Sequence, residues 1–480
     1  MSPISGYAPV PGPVNRESFF EAQARNRRAS WWFTALSALA IGLMGIPLSA
    51  VISPLLYALA IVALDLVNFV VPTPDLLRGI AESEGPTGTW PPELIAVVVA
   101  AIVVPGSVVL LLSWLALRRM FGRAGSGATV LALGAREPRA DDIEERQLAN
   151  VVAEMAAAAG VPPPAVAILD SPVPNAAAVG SRLDDCTVVV TTGLLAELDR
   201  EETQGVIAHV VGSVGNGDLR IGATITSVFQ TLGLVGSVLR APTERGPRKT
   251  LRAFLRYVFR RRADERAAVA ELLAKAATDS DPDYVDADPS GFKAVLTLPF
   301  LVAGAAFSMT SMIFGWMVVN PFLRRAWRSR RHLADAAAVQ LTRNPDGLGR
   351  ALTKLAERGG VVPGTEWTAH LFAVGAAEPT AGDDGSTPMP TFQPRVRDRI
   401  DRLRAMGSSV DALPRQTYSR GQRLALAAVV TVTSPCWLPM MALLLSTALI
   451  LTAVSLAIDS LFLAPAVALV HVGLRSLAGG

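Results

Sequence analysis

The sequence predicts an α-helical integral membrane protein with about six transmembrane helices and a soluble α+β domain on the cytoplasmic side. Three observations predict this class. The 480-residue chain is 51% hydrophobic, with a mean hydropathy of +0.38, too apolar for an ordinary soluble protein. Its apolar residues gather in runs of the length a bilayer requires, about 20 residues per helix. Between the runs lie stretches with helix and strand periodicity and with the turn residues of a folded domain. The net charge of +3 gives no nucleic-acid footprint, and no reading module accompanies the arginines. The two cysteines, Cys186 and Cys436, make no CxxC and no disulfide framework. An all-histidine metal site would use nearly all of the four histidines.

Residues 1–30 read as a polar cytoplasmic tail that ends in Arg25, Arg27 and Arg28 and lacks a signal-peptide cleavage site. Residues 31–123 read as the N-terminal membrane region. The apolar run 31–71 is broken near Pro47 and Pro54, and a second run covers 94–117. Arginines before the first run and Arg118, Arg119 and Arg123 after the second both belong in the cytoplasm by the positive-inside rule. Two spans follow, at 32–54 and 94–117, with Asp75, Glu82 and Glu84 in an outward loop. Asp65 sits more easily near the interface than at the bilayer centre.

Residues 124–219 read as the first soluble part. Helical spacing over 143–159 stops at Gly160, and β-branched or apolar runs at 165–169 and 186–191 read as strands. Asp199 with Glu202 three residues on is a capping-box pattern ahead of a helix at 200–214. Residues 220–323 read as a membrane hairpin, 221–239 and 295–322, around a loop with arginines from 248 to 262. Residues 324–421 return to the soluble domain, with helices at 333–357 and 395–406 and a flexible loop at 376–390. Residues 422–480 form a C-terminal membrane domain, best read as two spans. The arginine runs 248–262 and 324–331 suit anionic lipid headgroups or serve as ordinary topology signals. The C-terminal region suits docking of a membrane-protein partner or plain anchoring.

Several motifs occur together and in order. They are Pro174-Asn175-Ala176, Val190-Thr191-Thr192-Gly193-Leu194-Leu195, Ala208-His209 with Gly212 and Asn216-Gly217-Asp218, Leu333-Ala334-Asp335-Ala336 with Asn344-Pro345, and Arg399-Ile400 with Leu403. Over roughly 140–405 the chain resembles the HtpX-like membrane metallopeptidases, gluzincins related to the CAAX prenyl proteases. The resemblance implies a zincin-type fold. In that family the two histidines of H-E-x-x-H and a later glutamate hold zinc, and the H-E-x-x-H glutamate is general base for the attacking water. Zinc catalysis needs three protein ligands, an open position and a nearby proton acceptor.

Against that pattern His209 matches the first ligand, Val210 stands at the general base, Ser213 at the second histidine and Arg331 at the third ligand. The resemblance with these departures implies no catalytic residues, a vestigial His209, no zinc cofactor and no enzyme activity. Asn216, Asp218 and Asp335 remain of the family motif. The expected role is then a scaffold, a regulator, or a binder of peptides or membrane proteins. Its partners would be the bilayer, a protein and anionic lipid, in the inner or plasma membrane, with Asn175, Val188 and Val190 lining a peptide groove. The alternatives are a divergent zinc endopeptidase using His332, Asp335 or Asp218, and a purely structural subunit. On a helix His332 points about 100° away from position 331, which suits a helix-surface residue. A Ser213–His209 nucleophile and base would lack an orienting group and an oxyanion hole.

Overall fold

The computed structural model describes residues 18–70, 92–244, 292–358, 371–373 and 393–413, with scattered positions elsewhere. Among them, Phe19–Tyr57, Val99–Leu133, Asp218–Arg240 and Thr297–Thr342 belong to helices long and apolar enough to cross a membrane. Each falls on an expected span. The expected C-terminal pair, 424–474, lies for the most part outside the described residues, as does the loop 376–390.

Helix α1 (Phe19–Val70) runs unbroken through Pro47 and Pro54, where the sequence suggested an interruption. Tertiary packing explains the difference, since neighbouring helices and serines compensate a proline inside a membrane helix. Helix α2 (Pro92–Leu133) approaches α1 so closely that a Cβ on Gly106 would lie 2.4 Å from the Ser49 carbonyl oxygen. The Gly106 amide donates to Ser53 Oγ at 3.0 Å, and the Ser49 and Ser107 hydroxyls meet at 2.8 Å. Small residues permit this approach.

Helix α2 kinks at Gly125, where φ is 71°. A side chain there would strike the Asp185 carboxylate, which accepts from the amide and hydroxyl of Ser126. That contact fastens α2 to a small sheet. Helix α3 (Ile143–Ala159) starts on the Asp142 cap and ends at left-handed Gly160, as the sequence indicates. Strands β1 (Ala165–Leu169), β2 (Ala176–Arg182) and β3 (Asp185–Thr191) follow. The order is β1-β3-β2, with β1 parallel and β2 antiparallel to β3. Strand β2 has no counterpart in the sequence reading, because Ala-Ala-Ala-Val-Gly-Ser-Arg lacks the β-branched alternation of a strand.

A short helix, α4 (Thr192–Glu197), leads to α5 (Arg200–Gly215). Helix α5 opens with the expected capping box between Asp199 and Glu202. Helix α6 (Asp218–Arg240) follows at once. Later come α7 (Phe292–Phe314), a π-helical turn at Gly315–Val319, α8 (Asn320–Thr342), α9 (Pro345–Arg358) and α10 (Val396–Ala405). The expected helix 333–357 is therefore two helices. Arg343 takes a left-handed conformation, Pro345 cannot continue α8, and Asn344 Oδ1 caps the new start at Asp346.

The soluble core forms around α5, which packs on α3, α8, α9 and β2. Two glycines set the contact distances. A Cβ on Gly205 would lie 2.6 Å from the Leu348 amide of α9, and one on Gly212 would lie 2.9 Å from Ala337 Cβ of α8. Backbones are thus drawn together on both flanks of His209.

Candidate functional site

Helices α5, α8 and α10 each contribute one side chain to a dry polar cluster. His209 is 0% exposed, and Asp335 and Arg399 are 1% exposed. The Arg399 guanidinium grips Asp335 with both arms, Nη2 to Oδ1 at 2.7 Å and Nε to Oδ2 at 2.9 Å. His209 Nδ1 lies 2.8 Å from the same Oδ1. Burial pushes the imidazole down to about 4. The Arg399 and Arg331 charges act in the same direction, and Asp335 opposes them. The ring is therefore neutral near pH 7, and its Nδ1–H donates to Asp335, an assignment made from the bonding pattern. Nε2 is left as a buried lone pair with no hydrogen-bond partner.

The neighbouring positions have other work. Val210 is a core residue at 1% exposure. The Ser213 hydroxyl donates to the Val210 carbonyl at 2.7 Å, back into its own helix. Arg331, 3% exposed, donates through Nη2 to the carbonyls of Leu371 at 2.7 Å and Phe372 at 2.9 Å, and its guanidinium lies 5.3 Å from the Trp327 ring centroid. Of the positions that the resemblance pairs with metal ligands, one carries a ligand type. Guanidinium has no lone pair to offer and stays charged. Among the described residues, no three of histidine, cysteine, aspartate and glutamate converge to hold a metal.

A second buried cluster closes the far end of α5. Arg330 pairs with Asp218 through Nε, donates to the Asn216 carbonyl at 2.7 Å, and reaches Ser30 Oγ of α1 at 3.0 Å. The retained Asn216 and Asp218 thus serve a turn that ties α5 to three candidate membrane helices, α1, α6 and α8.

The structure changes three placements. His332 is not a helix-surface residue: it is 8% exposed, with Nδ1 3.9 Å from Asp335 Oδ2. Helices α1 and α10 pack against α8 and cover what would be the outer face of an isolated helix. Val188 and Val190 do not line a groove. They lie in β3, the central strand paired on both sides, and both are 0% exposed. Strand β2 is one of the two outer strands. Asn175 does stand at its head, where its amide donates to Thr191 Oγ1 at 2.8 Å and its carbonyl accepts the Thr191 amide at 3.0 Å. The central role of Arg399 was missed. The residue carried part of the resemblance, but no sequence spacing links it to Asp335, 64 residues away.

The chain is similar to proteins named Protease HtpX homolog. That of Dictyoglomus thermophilum is 31% identical over 275 residues, 57% of this chain and 73% of the relative. Those of Streptococcus equi subsp. equi and Ligilactobacillus salivarius are 31% and 30% identical, with 54% and 56% of this chain and 72% and 76% of the relatives covered. No solved structure matches the chain. The expectation that the chain is not an enzyme is overturned by these relatives, which are named proteases. A family model, Peptidase family M48, matches residues 142–407, more than half of the chain, and the protein belongs to that family, among the HtpX-like membrane metallopeptidases.

Proposed function

We propose that this member of the family binds an extended polypeptide, a segment of a membrane protein, along the outer edge of β2. One observation carries the reading. Strand β2 is one of the two outer strands of the sheet and packs against both α5, the helix of His209, and α6, a candidate membrane helix. A strand edge recognises extended peptides through main-chain hydrogen bonds. A polypeptide on this edge would lie beside His209 and within reach of the bilayer. The domain faces the cytoplasm in this reading, because the arginines at 25–28, 118–123 and 324–331 lie at the ends of apolar runs and mark the cytoplasmic side. The exposed Arg325 then meets anionic headgroups.

The test uses the full-length protein in detergent and a short biotinylated alanine–valine–threonine peptide carrying a benzophenone. Photolabelling mapped to 175–182 is expected. Labelling that avoids β2 overturns the reading. A second reading, a zinc endopeptidase of the membrane, is favoured by the relatives' names and by the unpartnered Nε2 of His209. Stoichiometric zinc in the purified protein, with casein cleavage abolished by His209→Ala, would establish it.

A further inference from the structure

The edge of β2 already carries an extended stretch of the chain. Phe372 pairs with Ala177 in an antiparallel bridge, and the Ala373 amide donates to the Ala176 carbonyl at 2.7 Å. All three carbonyls of Leu371, Phe372 and Ala373 are held by side chains from elsewhere. Arg331 takes the first two, Gln393 Nε2 takes that of Phe372 at 2.7 Å, and Arg399 Nη1 takes that of Ala373 at 2.7 Å. The stretch Leu-Phe-Ala has no polar side chain of its own, so its hydrogen bonds are made by backbone alone. This is how a protein grips an extended peptide without reading its sequence.

One of the donors, Arg331, stands at the position that the family resemblance pairs with the third metal ligand. Arg399 meanwhile holds Asp335 and, through it, His209. The apolar side chains of the stretch seal it in place. Phe372 is 2% exposed and packs with Ala177, Val179 and Val189 on the sheet. Leu371 reaches α6, where a Cβ on Gly222 would come within 3.0 Å of its Cδ2.

We infer that Leu371–Ala373 is an internal occupant of the polypeptide site, and that Arg331, Gln393 and Arg399 are the carbonyl receptors of that site. An incoming polypeptide gains β2 only when this stretch leaves. The inference rests on the binding reading above and adds its regulation: the site is closed in cis and opens by exchange of one extended segment for another.

A reversible lock tests it. Ala177 and Phe372 face each other as a non-hydrogen-bonded antiparallel pair, for which Cα atoms lie about 4.5 Å apart, within disulfide range. Ala177→Cys/Phe372→Cys is made in a Cys436→Ser background, with Cys186 buried. Photolabelling of β2 by the benzophenone peptide should fall about tenfold on oxidation and return on reduction. Leu371→Asn, which weakens the hold of the internal stretch on α6 and α8, should raise labelling about tenfold over the parent protein. Adding Arg331→Met to it should bring labelling down again, because a receptor has been removed. Equal labelling of the oxidised and reduced forms overturns the internal-occupant inference and leaves the binding reading standing. No labelling of β2 in any form overturns both. The locked protein keeps every buried side chain except the two exchanged, so a failure of Arg331→Met to fold does not blunt the test.

Discussion

Replacing Asp335 by alanine should cost about 3–5 kcal/mol, because it strands a buried guanidinium. Asp335 accepts two bonds from Arg399 at 2.7 and 2.9 Å and one from His209, and both partners of the ion pair are 1% exposed. Removing one member of such a pair leaves an uncompensated charge in a low-dielectric site, and that penalty, rather than the attraction lost, sets the magnitude. Set against a domain stability of about 5–15 kcal/mol, it is enough to lower the thermal midpoint by about 6–20 °C. The assay is thermal unfolding in detergent followed by tryptophan fluorescence. Asp335→Leu/Arg399→Met removes both charges together. It orphans the His209 Nδ1–H, as the single variant does, and also takes the Arg399 Nη1 donor from the Ala373 carbonyl, at about 1–3 kcal/mol each. A carbonyl without its donor costs less than a stranded guanidinium, so the double variant should be more stable than Asp335→Ala. If the double variant is no more stable than the single, or if Asp335→Ala costs less than about 1 kcal/mol, the cluster is not an interdependent ion pair and the reasoning is wrong.

Three further outcomes follow from the same geometry. His209 titrates at about 4 in the fold against an ordinary 6.5, so the unfolded chain binds its proton first. Its contribution is fully present above pH 6.5 and is lost as pH falls from there through 4, to a total of about 3 kcal/mol; unfolding midpoints measured across that window should flatten in His209→Gln. Burial pushes the Cys186 thiol up to about 12, so in a Cys436→Ser protein maleimide should label it only after unfolding, and labelling of the native state at the rate of a free thiol would contradict the buried placement. Gly205→Ala should destabilise by about 1–3 kcal/mol through its clash with the Leu348 amide. Gly215→Ala, whose nearest neighbour is Val161 Cγ1 at 3.7 Å, should be neutral within about 0.5 kcal/mol in the same denaturation assay.

Local signals in the sequence proved reliable where local chemistry decides. Gly160 ends α3, the Asp199–Glu202 capping box starts α5, and four apolar runs became helices able to cross a membrane. The misreadings share a cause: tertiary contacts supplied what the local sequence lacked. Pro47 and Pro54 do not interrupt α1, because α2 and α8 pack along it. Strand β2 forms from alanines, because β3 provides its ladder. For the site, the sequence named His209, Asp335 and Arg331, but read Arg331 only as the residue standing at the third-ligand position. Its actual partners are two backbone carbonyls, and no pattern of side chains announces a carbonyl. The gap between His209 and Arg399, 190 residues, likewise leaves no periodic trace.

The cluster around Arg330 sets an order of events during synthesis. Arg330 follows Asp218 by 112 residues and Ser30 by 300. At about 5–20 residues per second, Asp218 waits roughly 6–22 seconds for the only guanidinium that reaches it among the described residues. Until then the turn after α5 holds a carboxylate that has to stay in water. His209 waits longer still for Arg399. The ribosome therefore delivers α5 well before the charges on α8 and α10 that lock it, and a chain arrested between residues 331 and 398 would have a sealed turn at one end of α5 and an open cluster at the other.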